Sequence, residues 1–247
     1  MTMYRDYFRR LYDIIEEMVG SQGPAIETAA GWIADSLAVG GVTHLFGSGH
    51  SHMIAEEVFH RAGSLLPLNP MLDANLTFLG HLNATLLERT SGYGEVIVGS
   101  HDIREDEVVI VISNSGVNPV PIEVALAARG RGAKTVAITS VRHYANAPSR
   151  MPDGRRLGEV TDLTIDTHIP AGDALIEIPG METRVGGASS AVGIAIINAI
   201  VVETACLMQQ RGVTPPVIPS MNVPGGDEQM ERLVARYGDR LPLLRNA

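Results

Sequence analysis

The sequence predicts an α/β fold in which helices cover both faces of a parallel sheet. From residue 42 onward, short apolar runs alternate with helical stretches, the order that right-handed strand–helix–strand crossovers require. The clearest strand is Val108–Ile112, where five β-branched residues follow one another, as expected for a strand buried on both faces. Aromatic residues make up only 4% of the 247 residues, so the core must be mostly aliphatic. Together these observations favour a three-layer arrangement.

The other elements are predicted from shorter apolar runs and from helical periodicity. Further strands are predicted at Val42–Phe46, Leu65–Leu68, Thr135–Ile138 and Leu163–Ile165. Helices are predicted at Ser51–Ala62, Pro119–Arg129, Ala188–Gln210 and Asp227–Tyr237. The segment Met71–Glu107 is expected to form short helices over the site, and Val141–Gly158 a long loop.

The first forty residues are predicted to form a helical hairpin. Apolar residues recur every three or four positions from Met3 to Met18 and again from Ile26 to Leu37. Between them, Gly20–Pro24 contains residues that typically end one helix and begin the next. We therefore expect a helical hairpin at 1–40, an α/β domain at 41–212 and a tail with a short helix at 213–247. The apolar face of the hairpin favours a homodimer or homotetramer.

The charge and hydropathy of the sequence argue against several classes of binding partner and location. The net charge is −9 and there is no basic run, which argues against a nucleic-acid surface. Charged residues interrupt the first twenty positions, so no signal peptide is expected. The longest apolar stretch, Ala188–Val202, contains serines and an asparagine and is too short to predict a membrane span. We expect a cytoplasmic protein with a small-molecule ligand.

A glycine- and serine-rich turn follows the strand predicted at Val42–Phe46. It consists of Gly47, Ser48, Gly49, His50 and Ser51. Glycines allow a tight turn and close approach of the backbone, and free N–H groups at a helix start attract an anion. Serine hydroxyls add donors without bulk, so this turn could hold a phosphate without lysine or arginine. Glycine and serine are also common caps of ordinary strand–helix turns, so the turn alone is not decisive.

A second turn of the same kind follows the strongest strand. It consists of Ser113, Asn114, Ser115, Gly116, Val117 and Asn118, and Pro119 then begins a helix. Because the carboxyl ends of parallel strands meet at one edge of a sheet, the two turns are expected to lie together. Neither is a dinucleotide fingerprint, since His52 stands where a third glycine would be needed, and no Gly-Lys-Ser/Thr of a Walker loop occurs.

The two turns, GSGHS and SNSGxN after VVIVI, resemble those of the SIS (sugar isomerase) domain family. The resemblance extends over about Met3–Gln210, and the stretch GHSHMIAEEVFHRAG is similar to a group of bacterial SIS proteins. It implies a flavodoxin-like five-stranded parallel sheet, dimers or tetramers, and a phosphosugar ligand. Carried over by position, the implied phosphate contacts are Ser51, Ser113, Asn114, Ser115 and Asn118, and the start of the last helix, Ser189 or Ser190, would contact the sugar.

The catalytic residues of the family carry over poorly. Phosphoheptose isomerases have a glutamate ten residues after the last serine of the first turn, where this chain has Arg61. They also have a histidine in the last helix, and Ala188–Gln210 contains none. We therefore expect neither a metal nor a cofactor.

Substitute bases are available near the first turn. Glu56, Glu57 and His50 are the candidates for moving a proton between C1 and C2 of a sugar. Two adjacent glutamates near a helix start are equally consistent with simple stabilisation of the helix dipole. His81 and Glu88, in the segment expected to cover the site, are more distant candidates.

The sequence thus predicts a phosphosugar-binding protein of the SIS family, with an aldose–ketose isomerase as the first hypothesis. A lyase that acts on amino-sugar phosphates, like the etherase branch of the family, would make similar demands on the site. The rival is a non-catalytic phosphosugar sensor, favoured by the missing family glutamate and histidine. A flavodoxin-like nucleotide-binding protein ranks last, because neither turn contains lysine or an aromatic residue of its own.

Overall fold

A computed structural model describes residues 3–80 and 83–244. Its centre is a five-stranded parallel sheet with the order β2-β1-β3-β4-β5. The strands are β1 Thr43–Gly47, β2 Leu68–Pro70, β3 Val108–Ile112, β4 Lys134–Thr139 and β5 Leu163–Asp166. This order is flavodoxin-like and confirms the predicted fold class.

Helices cover both faces of this sheet. The helices of the described residues are α1 Met3–Ala38, α2 His52–Glu57, α3 Asn83–Glu88, α4 Tyr93–Gly99, α5 Pro119–Gly130, α6 Val141–Ala145, α7 Leu157–Val160, α8 Ser189–Gln210 and α9 Gly226–Tyr237. One face carries α1, α2 and α8, and the other carries α4, α5 and α7. The strand β3 shows why: Ile110 and Ile112 enter the first core, whereas Val109 and Val111 enter the second. Each side of a pleated strand therefore meets a helical layer.

The predicted helical hairpin is wrong, because residues 3–38 form one continuous helix of 36 residues, α1, with Pro24 inside it. An internal proline loses one backbone hydrogen bond and costs about 3 kcal/mol. The helix continues because both halves bury apolar side chains in the same core, Ile14 and Met18 before the proline and Ile33 and Leu37 after it. Packing against α8 and the sheet outweighs the local break.

Several other boundaries differ from the predictions. Leu65 and Leu66 do not belong to β2; they pair with the C-terminal tail, where the Leu66 N–H donates to the Pro216 carbonyl at 2.9 Å. The helix after the first turn ends at Glu57, and the loop predicted at Val141–Gly158 contains the short helix α6 and the start of α7. An antiparallel pair, β6 Ala174–Ile176 and β7 Val185–Gly187, was not predicted, because its strands are too short to show alternation.

The tail is anchored at the amino edge of the sheet by a buried carboxylate, Glu107. It accepts hydrogen bonds from the Val42 N–H at 2.9 Å and from Arg240 Nη2 at 2.8 Å, and it pairs with His44 Nε2 at 3.1 Å. Burial alone would raise the pKa of Glu107, but the hydrogen bonds from His44 and the Arg104 N–H, with the charges of His44 and Arg240, hold it below its ordinary value. This network lies at the opposite edge from the two turns and is structural.

Among the helices of residues 3–80 and 83–244, α8 is the one that is long and apolar enough to cross a membrane, with a mean hydropathy of 2.1. Its buried side chains, such as Val192, Ile196 and Ile200, lie in the core shared with α1 and the sheet. A core helix of a soluble protein has the same composition.

Pro24→Ala should raise the free energy of unfolding by about 1–3 kcal/mol, because it restores a hydrogen bond inside a continuous helix. Denaturant unfolding monitored by circular dichroism would measure this. Pro119→Ala is the matched control: Pro119 is the first residue of α5, where a proline costs nothing, so no gain is expected. A Pro24→Ala variant no more stable than the parent would instead indicate two helices with Pro24 at the start of the second.

Candidate functional site

The two polar turns leave the sheet side by side. The strands β1 and β3 are parallel neighbours, and Gly47 is paired with Ile112, so the next residues, Ser48 and Ser113, continue at the same level. Both serines are buried. The prediction that the turns meet at the carboxyl edge is thereby met in the geometry.

The first turn is held tightly over the end of β1. Gly49–Ser51 forms one turn of 3₁₀ helix, in which the Ser51 N–H donates to the Ser48 carbonyl at 3.0 Å. A Cβ atom on Gly47 would lie 2.4 Å from the Ser51 carbonyl oxygen, so only glycine fits there. Gly49 has a φ of +52°, which glycine adopts without strain.

The two histidines around this turn have different surroundings. His52 is buried and its Nδ1 contacts the Gly49 carbonyl oxygen, which requires Nδ1 to carry the proton and closes the turn. His50 is exposed and lies edge-on to the ring of Phe78, with 4.7 Å between the ring centroids. His52 is therefore a structural residue, whereas His50 is accessible at the mouth of the turn.

The second turn, Ser113–Asn118, presents backbone donors. The Gly116 N–H donates to Ser113 Oγ at 3.3 Å, and Gly116 has a φ of +61°. In the described structure the N–H groups of Asn114, Ser115 and Val117 have no acceptor. Unpaired N–H groups just before a helix start form a concave, positively polarised surface.

A fully buried hydroxyl lies beneath this second turn. Thr139 Oγ1, at the end of β4, would be 2.7 Å from a Cβ atom on Gly116 and has no hydrogen-bond partner within the described ranges. A side chain larger than hydrogen at position 116 would press into this hydroxyl. The close approach, with the positive φ, explains the glycine.

Three of the residues predicted to bind the ligand line one cavity between the turns and the last helix. They are Ser51, Asn114 and Ser189, and the cavity wall also includes Ile54, Ile112, Ile138, Thr167 and Gly193. The cavity measures about 10 Å³, roughly the space of one water molecule. A sugar would therefore lie over its opening and not inside it. Ser190 does not line this cavity.

The start of α8 is capped by Asp173. Its Oδ1 accepts hydrogen bonds from the N–H groups of Ala188 and Ser189, at 3.0 and 2.7 Å, and Oδ2 accepts one from Ser189 Oγ at 3.0 Å. The carboxylate already satisfies the positive end of this helix. Ser189 lines the cavity, but its hydroxyl donates its proton to Asp173; as a sugar contact, Ser189 stays a prediction.

The candidate bases on α2 are not gathered at this cavity. Glu57 forms an ion pair with Arg61, 2.6 Å between Oε1 and Nη1, and Glu56 lies 3.9 Å from His52 Nε2. The helix runs away from the carboxyl edge, and Glu57 is six residues beyond Ser51, about 9 Å along the axis. As catalytic residues, Glu56 and Glu57 stay predictions. Of the more distant pair, His81 lies outside the described residues and Glu88 ends α3.

Sequence reasoning missed four residues at this edge. They are Thr167, Asp173, His143 and Arg150. His143 follows the helix cap Ser140, and its Nδ1 is buried without a hydrogen-bond partner in the described part of the chain. Burial lowers the pKa of His143, while the Asp173 carboxylate opposes this shift. A Ser-x-x-His pattern directly after a strand was the available signal. No group of three or more potential metal ligands occurs in residues 3–80 and 83–244.

Residues 6–140 match the SIS domain family, more than half of the chain, and the match includes both turns and β1–β4. The chain belongs to the SIS domain family. A UPF0309 protein of Geobacillus kaustophilus is 39% identical over 243 residues, which cover 98% of this chain and 97% of that protein. The similarity thus includes α1 and the C-terminal tail. The resemblance inferred from the two turns is confirmed.

Solved structures agree with this family. A phosphoheptose isomerase from Francisella tularensis superposes with a TM-score of 0.56 at 16% identity, over 83% of this chain and 98% of that chain. The sugar isomerase domain of an RpiR transcription factor from Sphaerobacter thermophilus gives a TM-score of 0.50 at 16% identity, over 85% of this chain and 94% of that one. At such identities the likeness establishes the fold.

Gly47→Ala should destabilise the protein by about 3 kcal/mol, because the new methyl group would meet the backbone of Ser51. Gly49→Ala is the matched comparison: its Cβ would have open space, so only the positive φ is penalised, by about 1 kcal/mol. Thermal and denaturant unfolding of both variants would measure the difference. Equal destabilisation would contradict the described path of the turn.

Proposed function

We propose that this protein binds a phosphorylated sugar, with the phosphate at the second turn and the sugar over the cavity towards α8. The observation that carries this proposal is the row of unpaired N–H groups at Asn114, Ser115 and Val117, beside the start of α5. Such a row suits a tetrahedral oxyanion. Family membership supports the same ligand class.

The first turn completes the phosphate site from the opposite side. Ser51 lines the cavity together with Asn114, so its hydroxyl is available to the same ligand. The positive end of α5 is open, since Asn118 makes no side-chain cap and Pro119 has no N–H group. By contrast, Asp173 occupies the start of α8. Of these two helix starts, that of α5 is the one open to an anion, which orients the ligand.

For the reaction we propose an aldose–ketose isomerisation through a cis-enediol. A base must remove the proton at C2 and return it to C1, and Asp173, Ser189 and Thr167 could contact sugar hydroxyls. His143 is the strongest candidate base that the structure adds, since its buried Nδ1 is unpartnered and its lowered pKa keeps the ring neutral near pH 7. His50 is the accessible alternative at the other end.

A non-catalytic phosphosugar sensor is the second candidate. It is supported by the ion pair that engages Glu57 with Arg61, and by the similarity of fold to a sugar isomerase domain of a transcription factor. In that case the same phosphate site would remain and no proton would be exchanged.

We also propose that the protein acts in the cytoplasm as a homodimer or homotetramer. Along one side of α1, Tyr4, Phe8 and Tyr12 are each exposed by about 60% at intervals of four residues. A row of large aromatic side chains facing solvent is typical of a contact surface. A second copy of the chain is the proposed partner.

Ser115→Ala should weaken binding of a sugar phosphate about tenfold. Loss of the hydrogen bond from a serine hydroxyl to a phosphate oxygen costs about 1.5 kcal/mol of binding free energy. Ser51→Ala should have a similar effect. Isothermal titration with a panel of hexose and amino-sugar phosphates measures both. Ser220→Ala, in the C-terminal tail, is the control that removes a hydroxyl elsewhere. Unchanged affinity in both site variants would overturn the proposed phosphate site.

Isotope exchange separates the enzyme from the sensor. In deuterated water, an isomerase should place deuterium at C2 of its substrate, which NMR detects. His143→Asn should reduce this exchange at least 100-fold, as expected for loss of a general base, whereas Glu57→Gln should leave it within about twofold. Loss of exchange in Glu57→Gln alone would instead identify Glu57 of α2 as the general base. Tight binding by the parent protein without exchange of any ligand would support the sensor.

A further inference from the structure

The segment after β4 lies directly on the phosphate-binding turn. The Arg150 N–H donates to the Val117 carbonyl at 2.8 Å, and the Leu157 N–H donates to the Gly116 carbonyl at 2.9 Å. Two backbone hydrogen bonds thus fix residues 150–157 to the second turn. The segment is rich in arginine, in a chain whose net charge is −9.

Arg150 contacts a residue of that turn with its side chain. Its Nη1 donates to Asn118 Oδ1 at 3.0 Å. A guanidinium has donors only, so the amide atom facing it must be the oxygen, and Nδ2 points elsewhere. Asn118 is 8% exposed and precedes the first residue of α5. Arg150 therefore sets the orientation of the Asn118 amide and leaves the two N–H donors of Asn118 Nδ2 available to another partner.

Arg150 also differs from the other arginines of its segment. Arg142 is paired with Glu17, Arg155 with Asp153 at 2.6 Å, and Arg156 with Glu159 at 3.4 Å. Within the described ranges Arg150 is paired with no carboxylate, and its partner Asn118 is neutral. Its positive charge is therefore not cancelled by a neighbouring side chain. A cation next to the positive end of α5 raises the preference of that position for an anion.

We propose that Arg150 is the residue that makes the second turn selective for a phosphorylated ligand. It acts in two ways. It orients the Asn118 amide so that the Nδ2 donors of Asn118 face away from Arg150, and it brings to this turn the one arginine of the 141–158 segment that has no carboxylate partner. This inference rests on the proposed phosphosugar-binding function and assigns its selectivity. A dianionic phosphate gains from both effects, whereas a neutral sugar gains nothing from the uncancelled charge.

The test compares two variants of equal charge. Arg150→Gln should weaken binding of inorganic phosphate about tenfold at low salt, as expected for loss of a charge-assisted contact. Arg155→Gln removes the same charge from the same segment. Both arginines are exposed, but Arg155 is paired with Asp153 whereas Arg150 contacts Asn118, so less than about a twofold change is expected for Arg155→Gln. Titration at low and high salt should also show a smaller salt dependence for Arg150→Gln than for the parent.

A second variant isolates the positioning role. Arg150→Lys keeps the charge but loses the planar donor geometry, so binding should be intermediate between the parent and Arg150→Gln. The melting temperature of each variant, measured without ligand, shows whether it is folded. A weakened Arg150→Gln that melts like the parent supports a role in binding.

The outcomes are distinct. If Arg150→Gln and Arg155→Gln weaken binding equally, only the total charge matters and the inference fails. If Arg150→Gln binds phosphate like the parent while Ser115→Ala does not, the inference fails and the proposed phosphate site stands. If the parent binds neither inorganic phosphate nor any sugar phosphate, the proposed function fails, and this inference fails with it.

Discussion

The parallel pairing of β1 with β3 is the constraint on which the candidate site depends. It fixes Gly47 opposite Ile112 and so brings two polar turns, distant in the sequence, to one level of one edge. Parallel strands end at the same edge, which is why ligand sites of such sheets lie there. A register shift of one residue would exchange the two faces of β3, moving Ile110 and Ile112 into the other core. The burial of β3 on both faces therefore fixes the pairing register of β1 and β3, and this register sets the relative positions of the two turns.

In the proposed phosphate site, a chain with a net charge of −9 would attract an anion through local groups. The attraction is local: unpaired N–H groups at Asn114, Ser115 and Val117, and the open end of α5. The turns that carry these donors require glycine, because a Cβ atom on Gly47 would meet the Ser51 carbonyl oxygen and one on Gly116 would meet Thr139 Oγ1. At the start of α8 the Asp173 carboxylate already accepts the N–H groups, whereas the start of α5 has no side-chain cap, so the two helix starts differ in their attraction for an anion. For the proposed phosphosugar ligand, this asymmetry would favour one direction of binding.

Much of the fold could be predicted because its strands and turns depend on residues that are neighbours in the sequence. The run Val108–Ile112 and the apolar segments around it predicted the parallel sheet, and GSGHS and SNSG predicted the edge where Ser51 and Asn114 meet. The hairpin at 1–40 was predicted wrongly because Pro24 is a local break signal, while the burial of Ile33 and Leu37 that overrides it is a property of the assembled core. The strands β6 and β7 were not predicted, because each is too short to show an alternation of apolar and polar residues.

By itself, the sequence determined the sheet, its two polar turns and the family, because each rests on neighbouring residues and their hydrogen-bonding chemistry. The tertiary structure decided which polar groups are paired. It neutralised Glu57 with Arg61, joined Ser189 to Asp173 and left the cation of Arg150 beside Asn118. Such pairings depend on loops that close over large separations in sequence, 32 residues between Asn118 and Arg150, and no local pattern encodes where such a loop comes to lie.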